Sequence, residues 1–269
     1  MTGGSIRVAV EAVELCGPGL ADWSSFEAVV AGGATYRAAP VVLQPPVQLS
    51  PAERRRAIAS VKLALAVGAA AVQQCGRDPA TLPAVFASSG ADAETISAIL
   101  ATLTTAAREV SPTRFHNSVH NAPSGYWGIG TQSQEAVTSI SCHDGSFASG
   151  LMEAAVQAVS GDRPVLLVAY DLGYPEPLNA ARQVEGCFGV ALVLGPVHAG
   201  RGLAELTISM APNGDGGVTS CSDPGLEALR RGNPAARALP LLARLAARSV
   251  GSVRLELSHS ALDVGVAPC

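Results

Sequence analysis

Three consecutive segments constrain this chain's fold more than any other part of it. Residues 137–141 read as a strand, 146–159 as a helix closed by Gly161, and 165–170 as a strongly apolar strand. That succession is a β-turn-α-β unit, and the alternation of strands and helices along the chain implies a mostly parallel sheet buried on both faces. Further strands are expected at 6–10, 84–88, 189–194, 203–210 and 252–257, with a Gly/Asn/Asp-rich loop at 212–222. Ser50, Pro51 and Glu53 have the spacing of a capping box, so one helix is expected over 51–75, ended by Gly76 in a left-handed cap. Ile96, Ile99, Leu100 and Leu103 recur at helical spacing within a helix over 93–108, and Leu239, Leu242 and Leu245 do so within one over 234–249. The chain contains no repeat and no composition break, so residues 1–269 read as one α/β domain with helices on both faces of its sheet.

Composition excludes several function classes. With 269 residues, 48% hydrophobic and 15% charged, the chain can bury a large core, and its net charge of −4 gives no electrostatic basis for binding nucleic acid. The apolar stretch 61–72 is interrupted by Lys62 and Gly68 and is too short to span a bilayer. Lys62 is the only lysine, so no mechanism needing two is open to the chain. The six cysteines lack C-x-x-C or metal-ligand spacing, and no leader-like segment precedes the first strand, which points to a reduced, cytoplasmic protein without a metal or other cofactor. Phosphate-loop, dinucleotide and G-x-S-x-G motifs are absent.

The most informative stretch runs Phe115-His116-Asn117-Ser118-Val119-His120-Asn121-Ala122-Pro123-Ser124-Gly125, and it is followed by Ser139-Ile140-Ser141-Cys142-His143-Asp144-Gly145-Ser146-Phe147. Together with Ala87-Ser88-Ser89-Gly90 and Gly161-Asp162-Arg163-Pro164, it resembles the ketoacyl synthase N-terminal family. The likeness is to the family's short chain-length factors of aryl polyene and related polyketide or fatty-acid-like pathways, and it covers residues 6 to 195. The resemblance implies a truncated thiolase-like α-β-α fold and a heterodimer with a full-length ketosynthase. It also implies traffic with an acyl carrier protein and a growing acyl or polyene chain.

In active condensing enzymes a cysteine sits on the sharp strand-to-helix turn, where helix amides lower its pKa. Counting from both flanks, the resemblance places that position on Asp144, while Cys142 falls at the strand end and is expected to be an ordinary buried thiol. Asp144 is expected to cap the following helix. The two histidines that condensation needs have no counterpart, since His198 and His259 lie outside any such motif. No catalytic residue is therefore expected, and the subunit would shape its partner's acyl tunnel. Two alternatives stay open: an active acyltransferase using Cys142, and a structural pseudo-enzyme that only stabilises its partner. The resemblance assigns Phe115, His116, Asn117, His120, Asn121, Trp127, Ser139 and Phe147 to the tunnel or interface. Arg54, Arg55 and Arg56 are candidates for docking the carrier protein or form a plain solvated face.

Overall fold

The computed structural model describes residues 4–197, 202–212 and 217–269. Its strands are β1 (Ser5–Cys16), β2 (Ala84–Ala87), β3 (Val137–Ile140), β4 (Val165–Leu172), β5 (Cys187–Gly195), β6 (Ala204–Pro212), β7 (Gly251–Glu256) and β8 (Ser260–Pro268). They form one sheet in the order β3-β2-β4-β5-β1-β6-β8-β7. β2 pairs in parallel with both β3 and β4, but the other five pairings are antiparallel. The α/β reading holds, while the expected mostly parallel sheet is a mixed one. The connections fit this: β2–β3 and β3–β4, which build the two parallel pairings, cross over through helices, whereas three residues between β7 and β8 leave only a hairpin.

The helices are α1 (Trp23–Val30), α2 (Pro51–Arg56), α3 (Ala59–Gln74), α4 (Ala93–Leu103), α5 (Pro112–Asn117), α6 (Ala122–Thr131), α7 (Ser146–Ser160), α8 (Leu178–Ala181), α9 (Pro224–Gly232) and α10 (Leu239–Ala246). α3 and α6 cover one face of the parallel end, with Val61, Leu65, Trp127, Phe86 and Val168 in one core cluster. α7 and α10 lie on the other face, where Leu151, Ala155, Leu167, Leu192, Leu242 and Leu262 belong to a second, larger cluster. β4 and β5 are buried along nearly their whole length, as a strand covered on both faces must be. β7 alternates, with Val253 and Leu255 buried between less buried neighbours, the pattern of a sheet with one wet face.

Several boundaries differ from the sequence reading. Ser50 accepts from the Glu53 amide as the capping box requires, but the expected helix over 51–75 breaks at Ala57 and Ile58, whose backbones are extended. The Arg56 carbonyl at that break accepts from Asn117 Nδ2 at 2.9 Å, so a tertiary contact takes the group that a continuing helix would have used. Gly76 takes the left-handed conformation expected of it, at φ 65°. α4 stops at Leu103 rather than 108, and the left-handed residue after α7 is Asp162, not Gly161. The strand expected at 137–141 lies at the sheet's edge, as β3. β8 and α9 were not anticipated, although Asp223, which caps α9 ahead of Pro224, carries the usual start signal. Of the expected loop at 212–222, Pro212 ends β6, 213–216 lie outside the described residues, and 217–222 are irregular.

Candidate active-site turn and free sheet edge

In an open α/β sheet, reactive groups gather beyond the carboxyl ends of the parallel strands. β2, β3 and β4 run in parallel and deliver there Ser88 and Ser89, the turn Ser141–Gly145, and Asp171 respectively. The turn is tight. His143 sits at φ 51°, the Gly145 amide donates to the Cys142 carbonyl at 2.9 Å, and Ser146 Oγ accepts from the Cys142 amide while donating to the His143 carbonyl. Gly145 lies in a crowded place, since a Cβ there would stand 3.1 Å from the Glu256 carbonyl oxygen and the Leu257 Cα.

Asp144 does not cap α7: the cap position is Gly145, and no side chain caps it. The Asp144 carboxylate instead lies between two guanidinium groups, accepting at Oδ1 from Arg182 Nη2 at 3.0 Å and at Oδ2 from Arg237 Nη2 at 2.9 Å. Ion pairing to two half-buried arginines outweighs an exposed helix-end contact, which explains the departure. Arg237 also pairs with Glu256, and Arg182 lies over the Tyr174 ring, 5.8 Å from its centroid. The site thus joins β3–α7, the segment before β5, the turn Ala235–Ala238 and β7.

Cys142 is half-exposed rather than buried, because the strand ends at Ile140 and the cysteine already belongs to the turn. Hydrogen bonds from the Ser149 and Ser258 hydroxyls hold its pKa below the ordinary thiol value. Behind the turn, Asp171 is fully buried; its Oδ1 accepts from the Ser89 amide and from both the Ser88 and Ser89 hydroxyls, and its Oδ2 has no partner. Burial pushes its pKa up to about 6. Arg182, Arg237, Glu256 and Asp171 were not anticipated. Only Asp171 carried a signal, a carboxylate at the end of an otherwise apolar strand.

The other predicted residues divide into two groups. Phe115 is 67% exposed, and His116 and Asn121 are also exposed. His120 Nε2 lies 3.1 Å from the Ser88 carbonyl, and Ser139 Oγ lies 3.0 Å from Ser124 Oγ. Asn117, by contrast, is buried and ties α5 to α2, and its Oδ1 accepts from the Tyr126 hydroxyl at 3.1 Å. Trp127 and Phe147 are buried in the two core clusters, so neither presents a ring to an acyl chain from the chain's surface. Leu100 and Leu103 on α4, Phe115 on α5, Val119, Ile129 on α6 and Val137 on β3 are all more than a third exposed; α6 packs on the edge strand β3, and α4 packs on α5. Of the arginine run, Arg54 Nε donates to the Leu49 carbonyl and Arg56 pairs with Glu53, leaving Arg55 pointing into solvent. His259 is exposed in the β7–β8 hairpin, and His198 lies outside the described residues. Among the described residues no helix is long and apolar enough to cross a membrane.

The layered α/β fold, with its strand-to-helix turn at the carboxyl ends of three parallel strands, matches the thiolase-like fold of ketosynthase structures. The chain belongs to the β-ketoacyl synthase N-terminal domain family, whose model matches residues 23–229. Among solved structures it is similar to a chain of a ketosynthase in complex with its chain length factor from Xenorhabdus doucetiae, at 20% identity and TM-score 0.72, over 97% of this chain and 99% of that one. It is also similar to a chain of the ishigamide ketosynthase/chain length factor, at 14% identity and TM-score 0.72, over 97% and 98%. A third likeness is to a chain from a type II PKS acyl-carrier protein in complex with its ketosynthase bound to the hexaketide, at 11% identity and TM-score 0.75, over 99% and 100%. At these identities the likeness is one of fold. No curated protein matches.

Proposed function

We propose that this chain is the chain-length-factor subunit of a heterodimeric β-ketoacyl synthase, pairing through β3 with a full-length ketosynthase and helping to shape the acyl tunnel. The observation that carries the proposal is Asp144, a carboxylate neutralised by Arg182 and Arg237 at the turn where the resemblance expects a nucleophile. An ion-paired carboxylate in this setting is a poor acyl acceptor, so the partner must supply the chemistry. The exposed apolar residues around β3 supply the surface for that partner. Arg55 and Arg56 on α2, with Arg114 on the neighbouring α5, offer positive charge to an acidic carrier protein. The test is reconstitution with a co-expressed ketosynthase: condensation should require both chains, and Phe115→Ala should move the product distribution toward longer chains. Condensation by this chain alone would refute the assignment.

Cys142 favours a second reading, an active acyltransferase, because it is half-exposed with a lowered pKa on the turn itself. A thiol-reactive probe should then modify Cys142 ahead of Cys187 and Cys221, whose pKa values burial holds at about 12. Cys142→Ala separates the readings: it abolishes turnover under the second, and leaves the reconstituted pair nearly unchanged under the first. The buried positions of Trp127 and Phe147 favour a third, purely structural role, in which no variant on this chain moves the product distribution.

A further inference from the structure

We infer that Arg182 and Arg237 form a binding site for a small carboxylate, and that this chain keeps it filled with its own Asp144. Each oxygen of Asp144 takes a separate guanidinium, at 3.0 and 2.9 Å, which is how two arginines grip a free carboxylate. The arginines are preorganised by other contacts. Arg182 Nη1 reaches toward the Ser89 carbonyl and the Tyr174 hydroxyl, at 3.5 and 3.4 Å, while Arg237 is held by Glu256. Among the described residues, Asp144 is the only acidic partner within ion-pair distance of Arg182. Arg237 Nε is buried without a hydrogen-bond partner, so this guanidinium is not saturated by the protein. The site opens to solvent, because a third of the Asp144 side chain is exposed while the arginine side chains are only 23% and 18% exposed.

Removing the internal carboxylate therefore leaves two fixed, poorly hydrated cations around a space that formate, acetate or one end of malonate fits. The wild-type chain is closed to the same anions. This inference does not depend on the chain-length-factor reading and stands or falls separately from it.

The experiment is thermal unfolding of the full chain, in the assembly in which it purifies, titrated with sodium formate, acetate or malonate against sodium chloride at matched ionic strength. Asp144→Ala should unfold at lower temperature than the wild type and regain several degrees, saturably, in the carboxylates but not in chloride, as linkage requires of a ligand bound only by the folded state. The wild type should show only the non-saturating differences among salts that anion exclusion from the surface produces, and Arg237→Met placed in the Asp144→Ala background should abolish the saturable gain. A variant that responds to carboxylates no more than the wild type overturns the inference, as does a gain that survives loss of Arg237. If Asp144→Ala does not accumulate in soluble form, its refolding yield in formate should exceed that in chloride several-fold, and equal yields overturn the inference equally.

Discussion

Trp127 and Phe147 lie among the largest fully buried side chains, while Phe115 is 67% exposed, so three aromatic residues that share one stretch of sequence have different roles. Truncating Trp127 or Phe147 to Ala should cost about 3–5 kcal/mol, a cavity penalty read from denaturant unfolding. Phe115→Ala should change stability by no more than about 0.5 kcal/mol and act instead on pairing and product length. Asp171 offers a second test. Its folded pKa of about 6 lies above the ordinary carboxylate value because burial disfavours the charge, so the folded state binds the proton more tightly than the unfolded one. The resulting stabilisation is complete below the ordinary carboxylate pKa and is lost as pH rises through about 6. Asp171→Asn should therefore flatten the stability profile between about pH 4 and 6, and an unchanged profile would show that other groups set it.

At the scale of elements, β3 is the most informative strand. The Ala84 amide donates to the Ala136 carbonyl and the Ser88 amide to the Ile140 carbonyl, so by the alternation of a parallel ladder the backbone groups of Ser139 point away from β2. A free edge with apolar neighbours is a template for another strand. Ser139→Pro removes an outward N–H while sparing the ladder to β2, and edge positions tolerate proline. The variant should weaken pairing with the ketosynthase by about tenfold or more, the consequence of one unsatisfied buried group at the interface. Gel filtration of the co-expressed pair measures this, and normal pairing would show that β3 is not the seam. α4 supports the same reading, because Leu100 and Leu103 of its apolar stripe stay exposed in the isolated chain.

The whole molecule shows a division between its two ends. At the β7 end, Arg254 pairs with Asp263 across neighbouring strands and Arg7 on β1 pairs with Glu205 on β6, although Met210 on β6 and Val250 before β7 stay exposed. Towards the β3 end, exposed apolar side chains stand on β3, α4, α5 and α6. Patches of that kind mark interaction surfaces, and obligate interfaces bury more than about 2,000 Å². Expressed without a partner, the chain should aggregate or form a weak homodimer, and a stable monomer at micromolar concentration on gel filtration would contradict the heterodimer.

The β-turn-α-β unit, β4, α7 and the amphipathic stripe of α4 were legible in the sequence because each is dictated by local periodicity and by whether a strand is covered on one face or two. The family was legible because the residues around Asn117, Asn121 and Asp144 are contiguous in the chain. The sequence alone did not reveal which strands neighbour one another, nor that β3 lies at the edge, because pairing depends on how connections close in space. Nor did it reveal what Asp144 does. Locally Asp144 has the features of a helix cap, and only the arrival of Arg182 and Arg237, 38 and 93 residues away, makes it an ion-pair partner. The same holds for Trp127 and Phe147, whose burial is set by α3, α7 and the strands packed against them. Side-chain chemistry is written locally, but charge pairing and burial are properties of the neighbours that folding brings together.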